Sequence, residues 1–507
     1  MLSILDSDND VPTSNRYNYY NLRFDLDNGQ IEFRFNGLLK FSYLANEHDG
    51  AFISGLSNLH IEGGGYLDNF SYFVFDNTTP KLKTVSLVDC GFAEINWSPP
   101  AEGQPDGYNI YRDGNQINAD IVTDTVWMDE TIPGAGNYSY VVKSVYGADE
   151  SNPSNSETLS IENQNIFFDL QAGWQGISLY NYPKPAGVET IFNGYEDFLE
   201  ILSNYNGYYW PGQNVNTIGN WQCFSGYVLK MNTSVPISID GWKRHDNSVS
   251  LDEGWNLCPV LSDNAIDVET LFAGKDVLIA KDVAGYGVYW PAYSINTLGD
   301  FISNNAYYVK ANSAFEIDFP QSDGKSSAAK GIVYQPEIPD NLPWEINSST
   351  STGHTIAILQ EVMNHQEINA GGVVAALDEN GECYGVAMLS PGNTSLTIFG
   401  DDPTTAAKDG FSEGEHIHLH YFDPDSEKSF ALTANYEVGL PNPDGLFHSN
   451  GLSAIKSLQA GNTGFAGYAA AQFEVFPNPA DDLLHVQKHF DGSCELWIYN
   501  VQGNPVM

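Results

Sequence analysis

Apolar and polar residues along this chain alternate with period two over short stretches, and glycine, proline or asparagine closes each stretch after a few residues. Such alternation predicts half-buried strands joined by tight turns, not amphipathic helices. The clearest case is residues 22–35, where Asn28-Gly29 suits a two-residue hairpin loop because both residues tolerate positive φ. That register sets Leu26 against Ile31, Phe24 against Phe33 and Leu22 against Phe35 on one face, with Arg23, Asp25, Glu32 and Arg34 on the other. A second hairpin is expected from Gly372-Val373-Val374-Ala375-Ala376-Leu377, turning at Asn380-Gly381 and returning from Cys383 to Met388. The fold class expected is all-β, a string of tandem β-sandwich modules.

The middle of the chain is duplicated. Val188-Glu189-Thr190-Ile191-Phe192 returns as Val268-Glu269-Thr270-Leu271-Phe272, Tyr209-Trp210-Pro211 as Tyr289-Trp290-Pro291, and Lys230 as Lys310, all at an offset of 80 residues. Gly173-Trp174 returns as Gly254-Trp255 with one extra residue. Two related β-rich repeats are therefore expected at 166–244 and 245–321. Their aromatics Tyr209, Trp210, Tyr289 and Trp290, with Tyr208 and Tyr286 beside them, are candidate stacking platforms, since a ring face matches the apolar C–H face of a sugar. The competing reading is that each Tyr-Trp-Pro strand end fills the core of its repeat. Two equivalent platforms would suit multivalent capture.

Other segments resemble known families. Phe476-Pro477-Asn478-Pro479-Ala480, followed by an alternating run through Leu484 and Val486 and by Leu496-Trp497-Ile498-Tyr499-Asn500, resembles the C-terminal sorting domain, type A, of the type IX secretion system of Bacteroidetes. Pro477, Asn478 and Pro479 match its opening turn. The resemblance covers 473–507 and lacks the later strands of the family. It implies delivery by the secretion machinery to the exterior or outer cell surface, with removal of the tail and frequent attachment to surface lipopolysaccharide. Residues 80–162 resemble a fibronectin type III domain through Ile95-Asn96-Trp97, Gly107-Tyr108-Asn109-Ile110-Tyr111-Arg112-Asp113-Gly114 and Tyr138-Ser139-Tyr140-Val141-Val142, with Trp97 and Tyr138 as core residues. Residues 1–76 look like the closing half of a laminin G-like, concanavalin A-type jelly roll. The repeats are similar to Gly-Trp repeats of Bacteroidetes surface proteins, and 344–458 to a module that precedes the sorting tail in other exported proteins, expected to be a β-sandwich. Residues 322–343, rich in serine, lysine, glycine and proline, are expected to be a linker.

Charge narrows the partners. With 65 acidic against 21 basic residues the net charge is -44, which opposes a phosphate backbone or an anionic membrane face and excludes nucleic acid as a partner. No apolar run reaches the roughly 20 residues of a membrane helix, so no transmembrane segment is expected. Met1-Leu2-Ser3-Ile4-Leu5 is followed by Asp6, Asp8 and Asp10, unlike a signal peptide, and with the incomplete tail this reads as a chain cut short at both ends. The five cysteines are read either as isolated buried thiols or as including a Cys223 to Cys258 bridge.

The chemistry on offer is sparse. Asp401, Asp402 and Asp409, with Glu413 and Glu415 near, form an acidic loop cluster with oxygen ligands suited to calcium, and no other cofactor is indicated. His416, His418 and His420 share one face of a strand and offer a metal site, or simply face water while Ile417 and Leu419 enter the core. No nucleophile elbow, zinc-protease helix or phosphate loop occurs, and no catalytic residue is assigned. The expected function is therefore binding and spacing by an exported protein, towards glycans or matrix proteins. The alternative is the accessory trailing part of a secreted glycoside hydrolase or peptidase whose active domain lies upstream.

Overall fold

The computed structural model describes residues 78–320, 337–347, 350–364 and 368–460, together with the backbone of the strands Tyr20–Asp25, Gln30–Phe35, Leu38–Leu44, Phe473–Phe476 and His485–Lys488. The architecture is all-β, and its α-helical elements among the described residues are single turns such as Val188–Ile191. Two compact units are formed, Met1–Val88 with Phe92–Ile161 and Asp89–Gly91 with Glu162–Met507. In the first, Tyr20–Asp25 pairs with Gln30–Phe35, but with Leu22 opposite Phe33 and Phe24 opposite Ile31. Asp25 faces Gln30, so the register is displaced by two residues from that of a two-residue loop. A shift of two preserves the alternation, so the expected faces survive although the expected pairs do not. Leu26 and the Asn28-Gly29 turn lie outside the described residues.

Residues 78–161 form a sandwich of a three-stranded sheet, Lys81–Val88, Phe92–Ser98 and Val126–Asp129, and a second sheet built around Gly107–Arg112, Gly136–Tyr146 and Glu157–Ile161. Alternate residues Ala93, Ile95 and Trp97 point inward and are at most 1% exposed. Trp97 meets Tyr108 edge-on at 5.2 Å. Tyr140, not Tyr138, is the fully buried tyrosine, and its hydroxyl donates to Asp129 (2.9 Å). Tyr138 is half-buried and donates to the Gly134 carbonyl (2.9 Å), tying down the corner that leads into its strand.

In the second unit the repeats have one topology. Gly173–Ile177, Tyr227–Met231, Leu199–Asn204, Gly207–Trp210 and Val215–Asn216 form a five-stranded sheet in that order. Gly254–Pro259, Ala306–Ala311, Val277–Lys281, Val288–Trp290 and Ile295–Asn296 repeat it. Small interactions are duplicated too: Asn216 donates to Glu189 (3.0 Å) as Asn296 does to Glu269 (2.9 Å), and Trp221 stacks on Tyr227 at 4.1 Å as Phe301 does on Tyr307 at 4.0 Å. The offset is not uniform, however. Ile201 pairs with Lys230 as Ile279 pairs with Lys310, an offset of 78, which returns to 80 at Tyr209 and Tyr289. The hairpin after this strand is thus two residues longer in the second repeat.

Cys90 forms a disulfide with Cys223, while Cys258 and Cys383 are buried free thiols. The Cys223 to Cys258 bridge expected as one alternative is therefore replaced, and Cys258 packs as a small apolar residue in the core of the second repeat.

The last module is a near-barrel sandwich with strand order Cys383–Met388, Val373–Leu377, His418–Asp423, Lys428–Tyr436, Leu452–Ala460, Gly353–Ile358 and Thr394–Phe399. The sheet curls until its first and last strands meet: a Cβ on Gly385 would lie 2.4 Å from the Thr397 carbonyl. The expected hairpin is present, with Val373 opposite Met388 and Ala375 opposite Val386. Ile338 and Leu342, assigned to the linker by composition, pack with Trp344 against Val373, Ala375 and Phe422. In the C-terminal segment that resembles a sorting domain, Phe473–Phe476 pairs antiparallel with His485–Lys488; Pro477, Asn478 and Pro479 lie outside the described residues.

The two repeats abut through glycines. A Cβ on Gly176 would lie 2.0 Å from the Ala306 carbonyl oxygen, and one on Gly226 would lie 2.8 Å from the Ala306 Cβ. Ser178 completes the seam, donating to the Asn305 carbonyl (2.6 Å) and accepting from the Val260 N–H (2.9 Å). Replacing Gly176 by alanine should force these backbones apart and cost about 1–3 kcal/mol, read as a lower melting temperature of the second unit. An unchanged melting temperature would show that the seam is loose.

Candidate functional site

Alternation along Gly207–Trp210 decides what each candidate aromatic does. Tyr209 points into the core of the first repeat and is 6% exposed, whereas Tyr208 and Trp210 project from the opposite face. Tyr208 is 42% exposed and Trp210 half-buried. Ser203 pairs with Tyr208 and Val215 with Trp210, so these four side chains share one outer surface. Tyr205, at the tip of the preceding hairpin, is 67% exposed. The turn after Trp210 is fixed by Pro211 at the start of a single helical turn and by Asn214 in the left-handed region (φ 55°).

The second repeat uses the same outer face differently. Val288, Trp290 and Ile295, the counterparts of Tyr208, Trp210 and Val215, are 0%, 0% and 2% exposed. They pack with Ile279 against Ala357, Leu452 and Ala454 of the last module. The longer hairpin reinforces this contact, since the Gly285 carbonyl accepts from Thr397 Oγ1 and Tyr286 meets Phe399 at 5.4 Å. Trp290 therefore cannot be a platform, and Tyr289 is half-buried on the opposite, core side, stacked on Phe272 at 6.1 Å. Of the four expected platform residues, Trp210 alone remains accessible on an outer face, now joined by Tyr208. The pair of equivalent sites reduces to one.

Sequence reasoning missed the device that seats the last module. In each repeat a tryptophan and a lysine are directly paired across strands, Trp174 with Lys230 and Trp255 with Lys310. Their cation–ring distances are 5.7 and 5.5 Å. Asp402 (3% exposed) reaches the first pair, accepting from Trp174 Nε1 (2.7 Å) and from Lys230 Nζ (2.9 Å). Lys230 also contacts Glu200 at 3.2 Å and Thr404 Oγ1 at 2.8 Å. Burial pushes the Asp402 carboxyl up, but the hydrogen bonds it accepts from Lys230, Thr404 and Trp174 together outweigh this and hold it below its usual range. At the second repeat Lys281, 2% exposed, donates to the Gly353 carbonyl (3.0 Å) and lies 5.3 Å from the Trp255 ring. Desolvation brings its amine down to about 8. The recurrence of Gly-Trp and of Lys 80 residues apart was the available signal.

The proposed calcium loop is used internally. Asp402 Oδ1 accepts from the Thr404 N–H and hydroxyl, Asp409 Oδ1 from the Asp402 N–H (2.9 Å), and Asp401 Oδ1 from the Asp409 N–H (2.9 Å). The three carboxylates point to backbone donors and a lysine instead of a common centre. Among the described residues no group of three or more His, Cys, Asp or Glu converges on a metal position. His416 and His418 have ring centroids 6.5 Å apart, and His420 turns half-buried beside Trp344 at 6.0 Å. Ile417 and Leu419 between them enter the core of the module.

Among the described residues one serine–histidine pair occurs, and its polarity is wrong for a nucleophile. His354 Nδ1 accepts from the His448 N–H (3.2 Å), so its proton sits on Nε2 and is donated to Ser453 Oγ (2.7 Å). Ser453 in turn donates to the Asn442 carbonyl, and burial pushes His354 down to about 3. The imidazole has no lone pair left to take the hydroxyl proton.

No family model matches the sequence, and no curated protein matches it. Among solved structures, chitinase ChiA74 from Bacillus thuringiensis is similar over 34% of this chain and 28% of its own, at 11% identity and a TM-score of 0.13. The chain thus spans well under a third of that chitinase, and likeness at this level carries no argument about activity. No helix among the described residues is long and apolar enough to cross a membrane.

The two tryptophans are separable by experiment. Trp290→Ala should cost about 3–5 kcal/mol of stability as a buried aromatic, and Trp210→Ala within about 1 kcal/mol, measured by denaturant unfolding. Equal costs would mean that Trp210 is as deeply packed as its counterpart. A pH dependence follows from His448, which donates from Nδ1 to Glu413 (2.8 Å) and from Nε2 to Asp444 (2.9 Å) and can do both only as imidazolium. Asp444 chiefly, then Glu413, raises its pKa, while both carboxyls are lowered and stay ionised. The stabilisation is complete below the ordinary histidine value of about 6.5 and is lost as pH rises through the raised value. The melting temperature should therefore fall from pH 6 to pH 8.5 by more in the native chain than in His448→Gln; identical profiles would remove the clamp.

Proposed function

We propose that this chain is the binding and spacing part of an exported protein, and that the outer face bearing Tyr208 and Trp210 takes a glycan. The observation that carries the reading is the contrast between duplicated faces: Val288, Trp290 and Ile295 of one are covered by the last module, whereas on the other Tyr208 is exposed and Trp210 half-buried. Residues two apart on a strand stand roughly 6 to 7 Å apart, so the two rings can lie under neighbouring sugar rings of one chain. The Ser203 hydroxyl, across from Tyr208 on the neighbouring strand, and the Thr217 hydroxyl, bonded to the Tyr208 N–H, supply polar groups at the same face for sugar hydroxyls.

In this reading residues 80–162 are a fibronectin type III spacer, 1–76 part of a laminin G-like domain and 473–507 the label read by type IX secretion machinery. A disulfide is compatible with an oxidising, extracellular setting. Catalysis is not assigned to any residue.

The test is retention of the intact chain on an array of polysaccharides and matrix proteins. Trp210→Ala with Tyr208→Ala should lower polysaccharide retention about tenfold, from roughly 0.5–1.5 kcal/mol per ring, with the melting temperature within a few degrees of the native chain. Retention indifferent to the loss of both rings would exclude this face, and retention on matrix protein alone would exclude the sugar.

A further inference from the structure

Resting on the glycan reading, we infer that the polysaccharide held by the Tyr208–Trp210 face is neutral, and that uronate-rich or sulfated chains are rejected. The argument is about where the cations are. An acidic polysaccharide must have its carboxylates or sulfates matched by lysine or arginine, because an unmatched charge pressed against a protein surface loses hydration without repayment. Residues 166–244 contain four cations against six carboxylates. Each cation is already committed. Lys230 holds Asp402 and Glu200. Lys184 lies over the Trp242 ring at 4.4 Å, Lys243 pairs with Glu162, and Arg244, 2% exposed, binds Asp246 and the Cys223 carbonyl.

Lys184, Lys243 and Arg244 belong to the separate two-stranded sheet Asn181–Pro183 with Gly241–Lys243 and to its ends, while Lys230, on the same sheet face as Ser203 and Tyr208, is outnumbered there by its two carboxylate partners, Asp402 and Glu200. What borders that face is hydroxyl: Ser203, paired with Tyr208, and Thr217, whose hydroxyl accepts from the Tyr208 N–H at 2.9 Å. Such groups hydrogen-bond sugar hydroxyls without supplying charge. The long-range field acts in the same direction, since a chain of net charge -44 repels a polyanion before contact is made. Stacking on a neutral sugar is by contrast insensitive to both the field and the salt that screens it.

The experiment is affinity electrophoresis of the intact chain through gels containing β-glucan, arabinoxylan or mannan in one set and alginate, polygalacturonate or chondroitin sulfate in the other. Each gel is run at low and high sodium chloride and with either calcium or a chelator. Expected is retardation by at least one neutral polysaccharide, changed less than twofold by salt and abolished in Trp210→Ala. Retardation by an acidic polysaccharide that is lost in Trp210→Ala, with or without calcium, would overturn the inference while leaving the face a glycan site. Absence of retardation by every polysaccharide, with the folded chain confirmed by its melting curve, would instead overturn the glycan reading itself.

Discussion

Burial of the Trp290 indole between the second repeat and the strands Gly353–Ile358 and Leu452–Ala460 is the interaction on which the second unit depends. Small residues on the module side, Ala357 and Ala454, let two sheets approach closely enough for Val288, Trp290 and Ile295 to leave water completely. Such a contact removes a large aromatic area from solvent and carries with it the burial of Lys281, whose ammonium would be costly there without the Gly353 carbonyl and the Trp255 face. Asp402 fastens the other end of the same module to Trp174 and Lys230. Both ends of the last module are thus held beside a tryptophan–lysine pair that the two repeats share.

Divergence then needed little. Two residues added to the hairpin between Lys281 and Val288 bring Gly285 and Tyr286 onto Thr397 and Phe399, whereas the shorter hairpin of the first repeat ends in an exposed tyrosine. The first repeat has Tyr208 where the second has Val288, and both keep the tryptophan, so one face docks the last module and the other presents an exposed tyrosine. The glycines at Gly176 and Gly226 are the matching adjustment on the other side, making room for Leu257 and Ala306 of the neighbouring repeat.

The charge imbalance acquires a structural logic in the described residues. The most deeply buried carboxylates, Asp129, Asp378 and Asp402, at 0%, 1% and 3% exposure, are each met by a cation: Arg112, Lys408 and Lys230. Scarce cations are spent where a lone carboxylate would be most costly. Many of the remaining acidic groups face water, where their mutual repulsion is screened. On the outer face of the first repeat this allocation pairs Lys230 with two carboxylates, which is why that face reads as a site for uncharged matter.

Period-two alternation, turn residues and the 80-residue repeat determined by themselves that the chain is all-β, where the hairpin at Asn380-Gly381 turns and which two segments are copies, because these depend on local backbone preference and on identity of residues. The same alternation already separated Tyr209 from Trp210, had it been applied to the candidate site. It could not fix the register of the first hairpin, since a shift by two leaves every face unchanged. Nor could it tell Trp210 from Trp290, pair Cys90 with Cys223 or send Asp402 to Lys230, 172 residues away in sequence. Those outcomes were decided only by the tertiary structure. Exposure is a property of what packs against a face, and two copies with one local sequence pattern acquire different surroundings as soon as a third module can cover only one of them.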